Sequence, residues 1–494
     1  MFDSLFSIMV EFRSVWALEQ LRQPDDYGSI AYEYEKHSYP LAMADLIAST
    51  NEIEAAPALA FLQKLDPQAV ETLGVDLHSG FTLKGQIRKY FYFGDRLDPD
   101  YRQRMWQAMH QFTLSDPLDR TADPPRKFWE RSEDDCETPV DCRNTDNLRA
   151  MRETSVYLMA EETGNESTRL IYKARLQRYV STLLDIGMGE WDSPVYHGHT
   201  TAAYLNLYDF AQDPEVRQLA QDGLDWLFRA AALKYWQGEW NGPAKRIYGD
   251  DAQRFFWFYF GDGPLPTDLD LDWIHALTSR YSPPPDAIAI AHRRFVKPVE
   301  IRRTHPHYEN WKPGLYGPAF YETVYFGHTF QLGSLAKGTG GDWTGFSLRW
   351  LGSTGTEILT VEGGGHHAIA QFDNLLLWQG ATIPTIDYPT TVTIQTLGDI
   401  TFVTGESTWL AITRFTNGFA LEVGEPQTHG DFDVFKSAVL AQSQLNSITP
   451  AWEYQGSHGK RVRLQQQENS LPIIWRNGTR QNFDQWDRQS PTLP

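Results

Sequence analysis

The chain has 494 residues, 41% of them hydrophobic and 22% charged, which excludes a disordered or fibrous protein and sets two domains as the expectation, with room for a third. Its formal charge of −20 excludes nucleic acid as the main partner, because phosphate backbones are bound by clustered Lys and Arg. No apolar run of about 18 residues occurs, so no stretch reads as a membrane span.

The N-terminus is apolar in part but carries Asp3, Glu11 and Arg13 and lacks a basic start, so no signal peptide is expected. A cytoplasmic protein fits the chain as written, and a periplasmic or secreted one fits if a leader has been removed. From there to residue 130 the pattern is of helices joined by polar, proline-bearing loops: Leu41 to Ser49, Ala55 to Leu65, and Tyr101 to Phe112. A polar, acidic loop follows, holding the two cysteines, Cys136 and Cys142. Their spacing suits a small disulfide in an exported protein or two thiols in a cytosolic one.

Helical periodicity strengthens from Thr145 onward. Leu170, Ala174, Leu176, Tyr179, Val180, Leu183 and Leu184 mark one buried face. Asp213 as N-cap and Pro214 at the first helical position start the next long helix, with Val216, Leu219, Ala220, Leu224 and Leu227 behind them. Paired helices with short loops predict a ring or solenoid over residues 1–282. The run Ser282-Pro283-Pro284-Pro285 opens a linker over 283–295. Beyond it the period becomes two, as in Phe346, Leu348 and Trp350 or Trp409 and Ala411, with turn signals such as Gly398-Asp399 and Asn417-Gly418 between runs. An antiparallel β-sheet domain over 296–494 is the expectation, giving a helical domain followed by a β-sandwich.

The stretch from Gly189 to Gly249 holds most of the candidate reaction groups. Gly189-Glu190-Trp191-Asp192-Ser193-Pro194-Val195-Tyr196-His197-Gly198-His199 precedes a helical hairpin, and Arg246 and Tyr248 follow it. The 17 Trp, 23 Tyr and 27 Phe exceed ordinary packing needs; sugar-stacking faces and large aromatic cores are two uses for such a surplus. One basic segment stands out in the acidic chain, with Arg293, Arg294, Lys297, Arg302, Arg303 and Lys312 against Glu300 and Glu309.

This order of parts resembles the heparinase II/III and alginate lyase group of polysaccharide lyases. Three stretches carry the resemblance. They are Asn144-Thr145-Asp146-Asn147-Leu148-Arg149 entering a helix, the 189–249 stretch, and a β-domain run from Tyr321-Glu322-Thr323 through Gly365-His366-His367 to Phe372-Asp373-Asn374. Leu148 stands where a histidine is expected. The resemblance implies an (α/α) toroid, an incomplete barrel, joined to an antiparallel β-domain, and β-elimination on a uronate-containing polysaccharide.

That chemistry needs three roles filled together. The C5 carboxylate must be neutralised before the C5 proton becomes acidic enough to remove, and Asn147 and Arg246 suit this, with His366 or His367 assisting. A base must take the proton, with His197 expected first and His199 second. An acid must protonate O4, and Tyr248 suits it. Tyr196, Glu190, Trp191, His366, His367 and Arg152 would bind substrate. No cofactor is required; His366, His367 and Asp373 are the candidates for a structural metal ion. The partner expected is a polysaccharide or oligosaccharide.

Other readings stay open. Each histidine could serve as a helix cap, and Tyr248 is one of 23 tyrosines. A toroid hydrolase would need two carboxylates, for which Glu190 with Asp192, or Asp250 with Asp251, are candidates. A glycan-binding protein on the same scaffold would need none of this chemistry.

Overall fold

The computed structural model describes residues 2–23, 26–30, 35–77, 80–114, 145–247, 249, 251–308, 310, 314–339, 343–353, 355–362, 366–381, 385–468 and 470–486. The cysteines, Asn144, Tyr248, Asp250 and Lys312 lie outside them.

The helices are α1 (Phe2–Leu21), α2 (Glu35–Ala48), α3 (Glu52–Leu62), α4 (Gly80–Phe93), α5 (Pro99–Thr113), α6 (Asp146–Thr163), α7 (Glu166–Ile186), α8 (His197–Phe210), α9 (Pro214–Lys234), α10 (Asp251–Phe260), α11 (Trp273–Leu277) and α12 (Pro285–Ala291). Their order alternates between two layers. Contacts run from α2 to α4, α6, α8 and α10 along an inner layer, with α1 touching both α10 and α2. Helices α3, α7 and α9 each pack outside the inner helix that precedes them. This is the (α/α) toroid arrangement, and burial follows it. Most of α6, an inner helix, is buried, whereas α7 buries only Thr168, Tyr172, Leu176, Tyr179, Val180, Leu183 and Ile186, spaced by three and four.

The start of α9 is as its residues dictate: the Asp213 side chain accepts the Glu215 amide and Pro214 opens the helix. Leu224 and Leu227 are wholly enclosed on its inward face, so truncating either to Ala costs about 2–5 kcal/mol. Between the helical and β parts, the proline run does not form an extended linker. Pro285 takes the first position of α12, and Arg229 of α9 bonds Asp286 at 2.6 Å.

The C-terminal part consists of antiparallel sheets of six, seven and five strands. Alternation along each strand decides which layers meet. In the six-stranded sheet, Val324 and Phe326 face the helical core, while Tyr325, Leu332, Leu348 and Trp350 face the seven-stranded sheet. In the seven-stranded sheet, Ile369 and Leu376 point inward, while Ala368, Ala370 and Leu377 meet the five-stranded sheet through Tyr454, Val462 and Leu464.

The seam between helices and sheet is polar as well as apolar. Lys234 at the end of α9 contacts Glu322 of strand Pro318–Phe326 and lies 3.5 Å from Asp192. Arg303 of strand Val299–Pro306 bridges the same two carboxylates, and His305 Nε2 bonds Glu322 at 2.9 Å. Two carboxylates facing two cations cancel in charge, so a fully enclosed cluster persists without a free ion. A two-residue ladder, Ala244–Lys245 against Trp343–Thr344, also crosses the seam.

Candidate functional site

The inner helices α2, α4, α6 and α8 bring their first turns together. A Cβ placed on Gly80, which opens α4, would sit 3.6 Å from Leu148 in the first turn of α6. Phe81 meets His199 of α8 edge to face at 5.1 Å, and the Lys36 ammonium, in the first turn of α2, lies 4.9 Å above Phe81. Four helix N-termini at one mouth put four partial positive charges there, which favours anionic ligands.

His199 is oriented by an acid from far along the chain. Its Nδ1 lies 2.5 Å from Asp272 Oδ2 and 3.3 Å from the Lys84 ammonium. The closer carboxylate accepts, so the proton sits on Nδ1, and Nε2 keeps its lone pair with no partner among the described residues. Lys84 contacts Asp272 directly instead. Although burial opposes it, Lys84 and His199 hold the Asp272 carboxyl well below its usual range, so it stays a full negative charge. The His199 side chain is 23% exposed, open to a ligand on its Nε2 side.

Beside this pair sits a second group. Tyr196 caps α8 one turn before His199, with ring centroids 6.2 Å apart. The Arg246 guanidinium lies 4.9 Å over Tyr196, donates to the Tyr308 hydroxyl at 2.5 Å, and stands 3.7 Å from Glu190. Arg246 adopts φ 60°, a left-handed backbone uncommon outside glycine, which aims it back across the loop. Glu190 Oε2 accepts the Asn147 backbone N–H at 3.0 Å, and the Glu190 backbone N–H donates to Asp146 at 2.7 Å. Glu190 thereby caps α6 from another loop. Asn147 accepts the Thr145 hydroxyl through Oδ1, leaving its amide NH2 without a partner among the described residues. The β-domain loop closes over this group so tightly that a Cβ on Gly189 would meet the Tyr308 carbonyl at 2.6 Å.

Burial, and then the neighbouring Asp146, push the Glu190 carboxyl up to about 8. Glu190 is therefore protonated at neutral pH. Asn147, Glu190, Tyr196, His199 and Arg246 are thus brought together.

The remaining expected residues are placed elsewhere. His197 is fully enclosed, with Nε2 2.9 Å from the Leu227 carbonyl and its ring edge-on to Trp240 and Phe256. Burial pulls it down to about 4, so it is a neutral core imidazole with no route to a substrate. Trp191 is likewise enclosed, stacked on His305 at 4.4 Å, and cannot reach a sugar. Arg152 sits half-buried further along α6.

His367 is buried against Trp378 at 5.4 Å, and the His366 side chain is outside the described set. Asp373 follows the strand His366–Phe372, about 20 Å from His367 at strand rise, and pairs with Lys460. These three therefore cannot share one metal ion. Among the described residues Asp192, His305 and Glu322 are close enough to do so, but Lys234 and Arg303 already match their charge.

Of the hydrolase pairs, Glu190 and Asp192 separate: Asp192 turns into the seam cluster while Glu190 turns to α6. Asp251 pairs with Arg254, and Asp250 lies outside the described residues. Two residues of the basic segment are spent internally: Arg293 donates to the Ala232 and Ile290 carbonyls, and Arg303 serves the seam.

No protein family and no curated protein matches this chain. Among solved structures it is similar to a chondroitin AC lyase from Streptomyces coelicolor A3 in complex with chondroitin sulphate. The identity is 9% and the TM-score 0.48, over 95% of this chain and 87% of that one.

Proposed function

We propose that this chain is a polysaccharide lyase that cleaves a uronate-containing polymer by β-elimination at the mouth of the inner helices. The observation that carries the reading is His199, fixed by Asp272 with Nε2 open, standing beside Tyr196 and Arg246. The resemblance in the 144–149 and 189–249 stretches supports it. A uronate carboxylate would be bound by the Arg246 guanidinium and the Asn147 amide, which draws charge off the developing carbanion. The His199 Nε2 takes the C5 proton while Asp272 stabilises the imidazolium. The Tyr196 hydroxyl protonates the O4 leaving group, and the C4–O4 bond breaks as the C4–C5 double bond forms. Tyr196 is given the acid role because it is in contact with both Arg246 and the His199 ring.

The test is to incubate the protein with a panel of uronate polymers and follow the ultraviolet absorbance of the new double bond. Reducing ends without that absorbance would indicate hydrolysis, and binding with neither signal a non-catalytic glycan-binding protein. His199→Ala and Tyr196→Phe should each abolish the signal while retaining the fold.

A further inference from the structure

Lys36 is unlike the other cations of the mouth. Lys84 contacts Asp272, and Arg246 bonds Tyr308. Lys36, half-buried over the face of Phe81, makes no ion pair or hydrogen bond among the described residues. In a chain with 64 acidic and 44 basic residues, a half-buried ammonium with no acid among the described residues is a retained cost that a ligand would offset. His37 is its neighbour. Burial first, then Lys36, Lys84 and His199, hold the His37 imidazole below its ordinary value, so at neutral pH it offers an uncharged N–H beside the charge.

The route from Lys36 to His199 runs through Phe81, while that from Arg246 runs through Tyr196. These are two separate cationic positions around one base, Lys36 in the first turn of α2 and Arg246 over the residue that precedes α8. A single uronate carboxylate occupies one of them, which leaves the other for a second acidic group on the same polymer.

We infer that Lys36 and His37 form a second anion subsite, so that the chain takes polymers whose acidic groups recur along the strand rather than at the cleaved unit alone. The inference rests on the lyase reading for its substrate. The shared chemistry is an anionic oxygen, from a carboxylate or an ester sulfate.

The experiment compares the full-length protein with Lys36→Ala and Lys36→Arg on an unsulfated uronate homopolymer and on a sulfated glycosaminoglycan. Steady-state cleavage is measured together with binding by calorimetry. Loss of one charge-assisted contact should raise KM and Kd about tenfold with kcat changed less than about twofold. Lys36→Arg should restore most of it, and the gap should narrow as salt is raised. A loss on both polymers identifies a carboxylate, and a loss on the sulfated polymer alone identifies a sulfate. Unchanged KM and Kd in Lys36→Ala would overturn the subsite while leaving the lyase reading intact. Tight binding that weakens in Lys36→Ala, without any cleavage by the parent protein, would overturn the lyase reading and keep the subsite. Failure of the parent to bind either polymer would overturn both.

Discussion

Glu190 gives the account a sharp thermodynamic handle. Unfolded, its carboxyl ionises near 4.5; folded, it keeps its proton up to about 8 because it is enclosed and faces Asp146. Between those values the unfolded chain binds fewer protons than the folded one, so stability falls as pH rises. The contribution is fully present below about 4.5 and lost by about 8. At about 1.4 kcal/mol per pH unit, the whole interval amounts to at most about 5 kcal/mol. Glu190→Gln cannot ionise, yet its amide oxygen still accepts the Asn147 amide that caps α6. Urea denaturation of both proteins from about pH 5 to about pH 8, followed by circular dichroism, should show the variant gaining on the parent by up to about 1.4 kcal/mol per unit. Parallel stability curves would refute a protonated Glu190.

Other expectations follow from the same contacts. Asp272→Asn removes the charge that balances a protonated His199 and lets the imidazole turn, so kcat should fall about 10²-fold or more with little change in KM; an unaltered kcat would remove Asp272 from the mechanism. Lys234→Met strands Glu322 and Asp192 against fewer cations and should cost about 3–5 kcal/mol in chemical denaturation, whereas a change below about 1 kcal/mol would mean the seam cluster contributes little. His197→Phe should leave activity measurable if the protein folds, since His197 is a core ring; complete loss in a folded variant would return it to the chemistry.

Much of the fold is legible in the residues themselves. Asp213-Pro214 starts α9, the three-and-four spacing gives α7 although Leu170, Ala174 and Leu184 of that run are exposed, and the alternation of Phe346, Leu348 and Trp350 gives a strand with those three side chains on one face. The site is legible only in part, because its geometry depends on where one helix begins. If α8 is started near Thr201, His197 and His199 share a loop and look equivalent. Once it starts at His197, two positions subtend about 200° on the helix, so one imidazole enters the core and the other faces the mouth. Tyr196 and His199, three apart, then share a face.

Asp272 escapes sequence reading for a different reason. It lies 73 positions from His199, inside the acidic run Asp268-Leu269-Asp270-Leu271-Asp272, which reads as a solvated loop. The one local signal is that alternation of Asp with Leu, which half-buries such a loop. Lys36 and Phe81 are likewise recognisable only after the helix starts converge. The basic segment misleads in the opposite sense, since Arg293 and Arg303 are close in sequence but are spent on backbone carbonyls and on the seam.

The central claim is that His199, not His197, removes a proton from a uronate next to Arg246. The most direct measurement is ultraviolet absorbance on uronate polymers by the parent protein, His199→Ala and His197→Phe. The account predicts absorbance growing with time for the parent, none for His199→Ala, and a retained signal for folded His197→Phe. Absorbance that persists in His199→Ala would contradict it.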